Sequence, residues 1–135
     1  MPLVTWKDEY SVGIVRLDLQ HKTMVEMINR LYEAMSEGHG NNVLGEILGK
    51  LIAYTRTHFS TEEELFSRFG YPAAKEHKAE HEFLIAKAHE WKNQFQSGNQ
   101  MLAVQVANTL KSWLVNHIQQ SDQQYAPFLQ SKGVR

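Results

Sequence analysis

Five histidines stand in phase with the apolar residues of four helical segments, and this placement limits what the chain can fold into more than any other feature. His21 falls between Leu17 and the pair Met24 and Val25. His58 and Glu62 are four residues apart, so on a helix their side chains project one turn apart on the same face. His77 and His81 repeat that spacing, and His117 continues a stripe of Leu110, Trp113 and Leu114, with Asp122 five residues beyond. Unpaired buried charges are strongly disfavoured, so whatever fold buries these groups must also supply their partner.

The apolar periodicity divides the chain into four long helices joined by short, breaker-rich links. The first is expected over about 18–37, with Ile14, Leu17, His21, Met24, Val25, Ile28, Leu31 and Met35 on one face. Gly38-His39-Gly40-Asn41 ends it, glycine and asparagine being natural helix terminators. The second is expected over about 42–69, its stripe carrying Leu48, Leu51, Thr55, His58, Glu62 and Phe66. Gly70-Tyr71-Pro72 breaks it, and Pro72 suits the first turn of the next helix. The third is expected over about 73–96 with His77, His81, Leu84, Ala88, Trp91 and Phe95 inward, and Ser97-Gly98-Asn99 closes it. The fourth is expected over about 100–129. Residues 1–17 read as an extended arm carrying Trp6, Tyr10, Val12 and Ile14. No alternating strand pattern competes. Short links force antiparallel neighbours, so the predicted fold is all-α: an antiparallel up-down-up-down four-helix bundle with an extended N-terminal arm, in one domain over 1–135.

Composition narrows the functions. The net charge of -1 is spread along the chain, and no basic stripe suggests nucleic acid or anionic lipid as a partner. No stretch approaches the ~20 apolar residues of a spanning helix. The N-terminal Met-Pro-Leu-Val-Thr-Trp lacks the basic and apolar regions of a secretory signal, so the expected location is cytoplasmic. The absence of cysteine excludes disulfides, thiolate zinc sites, iron–sulfur clusters and cysteine nucleophiles in one step.

A lone histidine on an apolar stripe is more often a satisfied core residue than a metal ligand, and Glu62-Glu63-Glu64 read alone is a solvated charge run. Concurrence decides between the readings: 5 of 7 histidines take inward positions, spread over all four helices. Metal ions are the simplest partner able to satisfy five imidazoles and two carboxylates together. Seven ligands are too many for one tetrahedral zinc, and they suit two ions with carboxylates between them. A mixed nitrogen and oxygen set leans towards iron. His39, in a glycine-rich link, and His89, off its stripe, are expected in solvent.

The pattern resembles the hemerythrin family in its single-domain bacterial form, from Trp6 to about Phe128. The resemblance is carried by Gly13-Ile14, Asp18-Leu19-Gln20-His21, His58-Phe59-Ser60-Thr61-Glu62-Glu63 and Tyr71-Pro72. It continues through His77-Lys78-Ala79-Glu80-His81, Trp113-Leu114-Val115-Asn116-His117-Ile118 and Asp122. It implies two iron ions per chain, cycling between Fe2+ and Fe3+ and joined by an oxo or hydroxo bridge. His77, His81 and His117 resemble the terminal ligands of one iron and His21 and His58 those of the other, with Glu62 and Asp122 as bridging carboxylates. The open position on the His21/His58 iron would take dioxygen reversibly, for transport, storage or delivery. Trp113, Leu114, Phe59 and Met24 are candidates for the oxygen pocket wall, and Gln20, Glu63 and Tyr125 for partners of the ligands.

Two rival functions follow from the same centre. One is a di-iron oxidase or peroxidase, but bundle enzymes of that kind use Glu-x-x-His pairs, which the proposed ligands lack. The other is an oxygen or redox sensor acting through a separate partner. The expected partners are therefore dioxygen, no nucleic acid, no membrane and an open place for an oxygen-consuming or signalling protein. The chain is expected to be a monomer and no enzyme.

Overall fold

In the computed structural model, residues 2–38, 41–96 and 102–135 are described. His39, the Ser97-Gly98-Asn99 link and the start expected for the fourth helix at residue 100 lie outside them. Four helical rods make the bundle. Helix α1 spans Val15–Ser36, α2 Asn41–Phe69, α3 Ala74–Gln96 and α4 Leu102–His117. The fourth rod continues through a π-helical turn, Ile118–Asp122, into α5, Gln123–Ser131. Helix α1 packs on α2 and α4, and α3 closes the ring between α2 and α4. Among the described residues there is no strand, and no helix is long and apolar enough to cross a membrane. The architecture is the all-α four-helix bundle that the periodicity predicts.

Helix α1 begins at Val15, earlier than the expected 18, because its first turn supplies the arm with an acceptor. Asp18 takes the Ser11 hydroxyl at 2.5 Å and the Val12 N–H at 2.9 Å, holding residues 11–14 against the helix start. The arm is not uniformly extended: Asp8–Tyr10 forms a 3-10 turn that buries Tyr10. Further back, Asn29 brackets Val4, accepting from its N–H at 2.8 Å and donating to its carbonyl at 2.8 Å.

Gly13 turns the arm with φ of 71°, a conformation that a Cβ disfavours. A Cβ there would also run into Nε2 of Gln130, which donates to the Val12 carbonyl at 2.7 Å. Replacing Gly13 with Ala is expected to cost about 1–2 kcal/mol from the left-handed backbone alone. Urea unfolding would show this as a lower midpoint with unchanged slope.

The core has two apolar clusters. The larger includes Met24, Ile28, Leu31, Leu48, Leu51, Phe59, Leu84, Trp91, Leu110 and Leu114. The smaller includes Val12, Ile14, Leu17, Phe66, Tyr125 and Leu129. Every rod that contributes to both passes between them through a buried polar residue: Leu17, His21, Met24 on α1; Phe59, Glu62, Phe66 on α2; Leu114, His117, Asp122, Tyr125 on the fourth rod. The polar layer is thus sealed by hydrocarbon above and below.

Candidate metal centre

The layer holds His21, His58, Glu62, His77, His81, His117 and Asp122, none more than 4% exposed. All seven side chains singled out in the sequence are brought together there. They form two overlapping sets whose potential ligand atoms lie within 4.8 Å of one another: Glu62, His77, His81 and His117 in one, His21, His58, Glu62 and Asp122 in the other.

Helical register places most of them. His58 and Glu62, and His77 and His81, are i,i+4 pairs on unbroken α-helix. His117 and Asp122 are five apart, and on an α-helix at 3.6 residues per turn they would diverge by about 140°. The π turn removes the conflict. Within it the Gln123 N–H reaches the Ile118 carbonyl, five residues back, which winds the extra residue into one wider turn. His117 Nε2 then lies 3.1 Å from Asp122 Oδ1. The arm braces this segment from outside: Gln119 donates to the Glu9 carboxylate at 2.9 Å, and Gln123 to the Ser11 carbonyl at 3.0 Å.

Both carboxylates face both sets, Asp122 with a different oxygen for each and Glu62 chiefly through one. Asp122 Oδ1 is 3.0 Å from His77 Nε2, while Oδ2 is 3.0 Å from His21 Nε2. Glu62 Oε1 is 3.1 Å from His81 Nε2 and 3.4 Å from His58 Nε2, while Oε2 turns towards His21 at 3.8 Å. Tyr125, fully buried, donates its hydroxyl to that same Oε2. The imidazoles point Nε2 inward, and three of them are held from behind. His58 Nδ1 is 2.6 Å from Gln20 Oε1, His81 Nδ1 is 2.9 Å from Glu63 Oε2, and His117 Nδ1 is 3.2 Å from Glu80 Oε1. Gln20, Glu63 and Tyr125 were candidates on sequence. Glu80 was not, because it adjoins His81 in the chain yet serves His117 on another rod.

Burial and charge compete at every group. Burial, and then the Asp122 charge, push the Glu62 carboxyl up, but His58, His77 and His81 outweigh them and leave it far below the usual carboxylate range. Burial likewise opposes ionisation of Asp122, and His117, His21 and His77 overcome it, holding its carboxyl well below its ordinary value. Burial lowers His58 to about 4 against the pull of Glu62. At His77 burial is outweighed by Asp122 and Glu62, which raise it to about 9. His21 is raised too, its burial offset chiefly by Asp122. Burial and the two carboxylates keep the Tyr125 phenol protonated.

Even so, the layer does not satisfy itself. Both ring nitrogens of His21, Nε2 of His77, Oε1 of Glu62 and both oxygens of Asp122 are buried without a hydrogen bond of acceptable geometry. Unmet polar atoms in such number are rare in a native core. Imidazole nitrogens and carboxylate oxygens converging at these separations are a donor set that fits divalent transition metals.

The aromatic residues named for the pocket stand mainly on the three-histidine side. Phe59 stacks on His81 with centroids 3.8 Å apart, and half-buried Trp113 stacks on His117 at 4.4 Å. Leu114 and Met24 are buried in the larger apolar cluster. His89 is exposed and pairs with Arg56 on the surface, away from the layer. Replacing His89 or His39 with Ala is expected to leave metal content and visible spectrum unchanged; loss of metal in either would assign the wrong histidines.

Fold and site together define a helical bundle with a buried histidine and carboxylate cluster able to hold metal. The chain belongs to the hemerythrin family: residues 12–129 match the family model described as the hemerythrin HHE cation binding domain. It is 36% identical to a bacteriohemerythrin of Stenotrophomonas maltophilia over 93% of this chain and 81% of that one. A bacteriohemerythrin of Methylococcus capsulatus is 33% identical over 96% of this chain and 98% of its own. A crystal structure of wild-type hemerythrin superposes with a TM-score of 0.85 at 33% identity, covering 94% of this chain and 98% of that one.

Proposed function

We propose that this chain is a reversible dioxygen-binding protein, serving oxygen transport, storage or delivery through a pair of non-haem iron ions. The observation that carries the reading is the set of buried, unmet imidazole and carboxylate atoms converging from all four rods. His77, His81 and His117 would hold one ion, His21 and His58 the other, and Glu62 and Asp122 would span the two. The chemistry such a pair supplies when bound is two electrons lent to dioxygen and recovered on its release.

The protein's part is to bind, orient and seal. Asp122 presents separate oxygens to the two imidazole sets, and Glu62 meets both, its Oε1 lying nearest to His81 and to His58. Gln20, Glu63 and Glu80 fix three imidazoles with Nε2 inward. The Tyr125 hydroxyl keeps its proton and anchors Glu62 Oε2. Three imidazoles on one side against two on the other leave more room for a diatomic ligand beside His21 and His58. Met24 and Leu114, in the larger apolar cluster, would keep water from the centre, and Phe59 and Trp113 would cover its three-histidine side, together slowing its oxidation. Membership of the family favours binding over catalysis.

The test is metal analysis joined to visible absorption, with iron-loaded protein taken anaerobically through oxygen exposure and removal. Two irons per chain and a visible band that appears with oxygen and fades on its removal support the reading. Irreversible conversion without that band would overturn it and favour a redox sensor or an oxidase.

A further inference from the structure

The outer faces of the two imidazole sets are built from different chemistry. On the three-histidine side, carboxylates back two rings: Glu63 at 2.9 Å from His81 Nδ1 and Glu80 at 3.2 Å from His117 Nδ1. Glu80 is held in place by Ser121, whose hydroxyl approaches its two oxygens at 2.7 and 2.9 Å. On the two-histidine side, His58 Nδ1 meets the neutral amide oxygen of Gln20, itself tied to Thr61 at 3.3 Å. His21 Nδ1 is buried with no hydrogen-bond partner. Asp18, the acid on the same helix, accepts instead from Ser11 and Val12.

A carboxylate behind a metal-bound imidazole does two things: it fixes the ring and it raises the basicity of the inner nitrogen. Losing such a partner typically lowers metal affinity 10–100-fold. An amide fixes the ring without adding charge. We propose that Glu63 and Glu80 are positioning residues that make the His77/His81/His117 position the stronger of the two through their negative charge, so that the chain loads metal in a fixed order. The position at His21 and His58 is then filled last and emptied first. This inference rests on the ligand reading above. The third imidazole also favours the same side, so the charge contribution must be isolated by substitutions that keep the hydrogen bonds.

Metal-free full-length chain titrated with Co2+ provides the measurement, followed by calorimetry for affinity and by ligand-field absorption for the coordination at each step. The unsubstituted chain is expected to take up two ions in two resolved steps. Glu63→Gln and Glu80→Gln keep an acceptor for the imidazole N–H, and each is expected to weaken the first step by about 10-fold or more while leaving the second nearly unchanged. Gln20→Glu places a carboxylate behind His58 and is expected to strengthen only the second step by a similar factor. A residue that merely props up the bundle would shift both steps together, and circular dichroism confirms folding of each variant. Two ions bound with the steps unmoved by these substitutions, or weakened equally, overturn the inference and leave the ligand reading standing. Fewer than two ions in the unsubstituted chain overturn both.

Discussion

Replacing Glu62 with Ala is expected to yield a helical chain that no longer holds two irons, with metal content falling to one per chain or less. Glu62 lies near His21, His58, His77 and His81 at once, so its loss strips an oxygen from both positions rather than weakening one. The void also frees Tyr125, whose hydroxyl loses its acceptor in a fully buried site. Metal analysis after iron loading and desalting reads the effect directly. Two irons retained per chain would show that Glu62 is a core carboxylate and no ligand.

Metal removal is the second large effect, and its size follows from linkage. Each ion held at a thousandfold excess over its Kd stabilises the folded state by about 4 kcal/mol. For a domain near this size each kcal/mol moves Tm by about 2–4 °C, so stripping both ions should lower Tm on the order of 20 °C. The metal-free protein should also acquire a pH dependence. His77, raised to about 9 by Asp122 and Glu62 against its burial, contributes stability that is full below its ordinary value and lost as pH rises through 9. His58, lowered to about 4 by burial, works in the opposite sense: it resists charging and costs stability as pH falls from its ordinary value towards 4. Glu62 and Asp122, both held down by imidazoles, add stability that disappears only at lower pH still. Stability of the stripped chain should therefore peak near neutrality and fall on both sides. Calorimetric scans from pH 4 to 10 on stripped and loaded protein check this. Equal Tm values for the two forms would argue against a metal at the cluster.

The bundle was legible because its signal is periodic and long. Stripes such as Leu48, Leu51, His58, Glu62 and Phe66 persist over many turns, and glycine-rich breaks separate them. The same periodicity put His21, His58, Glu62, His77, His81 and His117 on inward faces, because side chains in α-register with buried leucines are themselves buried. Asp122 was a different case. Its place just beyond His117 brought it into the set, but its spacing contradicts α-register, and its bridging role came from family resemblance. The π turn supplies the missing physical reason. Glu80 was invisible for another reason: its contact with His117 joins two helices, and no rule of spacing along one helix reports it. The early start of α1 at Val15 was likewise hidden, since it depends on Asp18 reaching back to the arm rather than on any apolar phase.

The π turn also has a consequence for anyone who would copy this cluster onto another scaffold. A designer assembling four ideal helices, each wound uniformly, has no position from which an Asp122 equivalent can join a His117 equivalent at the inherited spacing. Transplanting the side chains without the surplus residue yields six converging groups and a seventh aimed elsewhere. The irregular winding, together with the arm that braces it through Gln119 and Gln123, belongs to the blueprint as much as the side chains do.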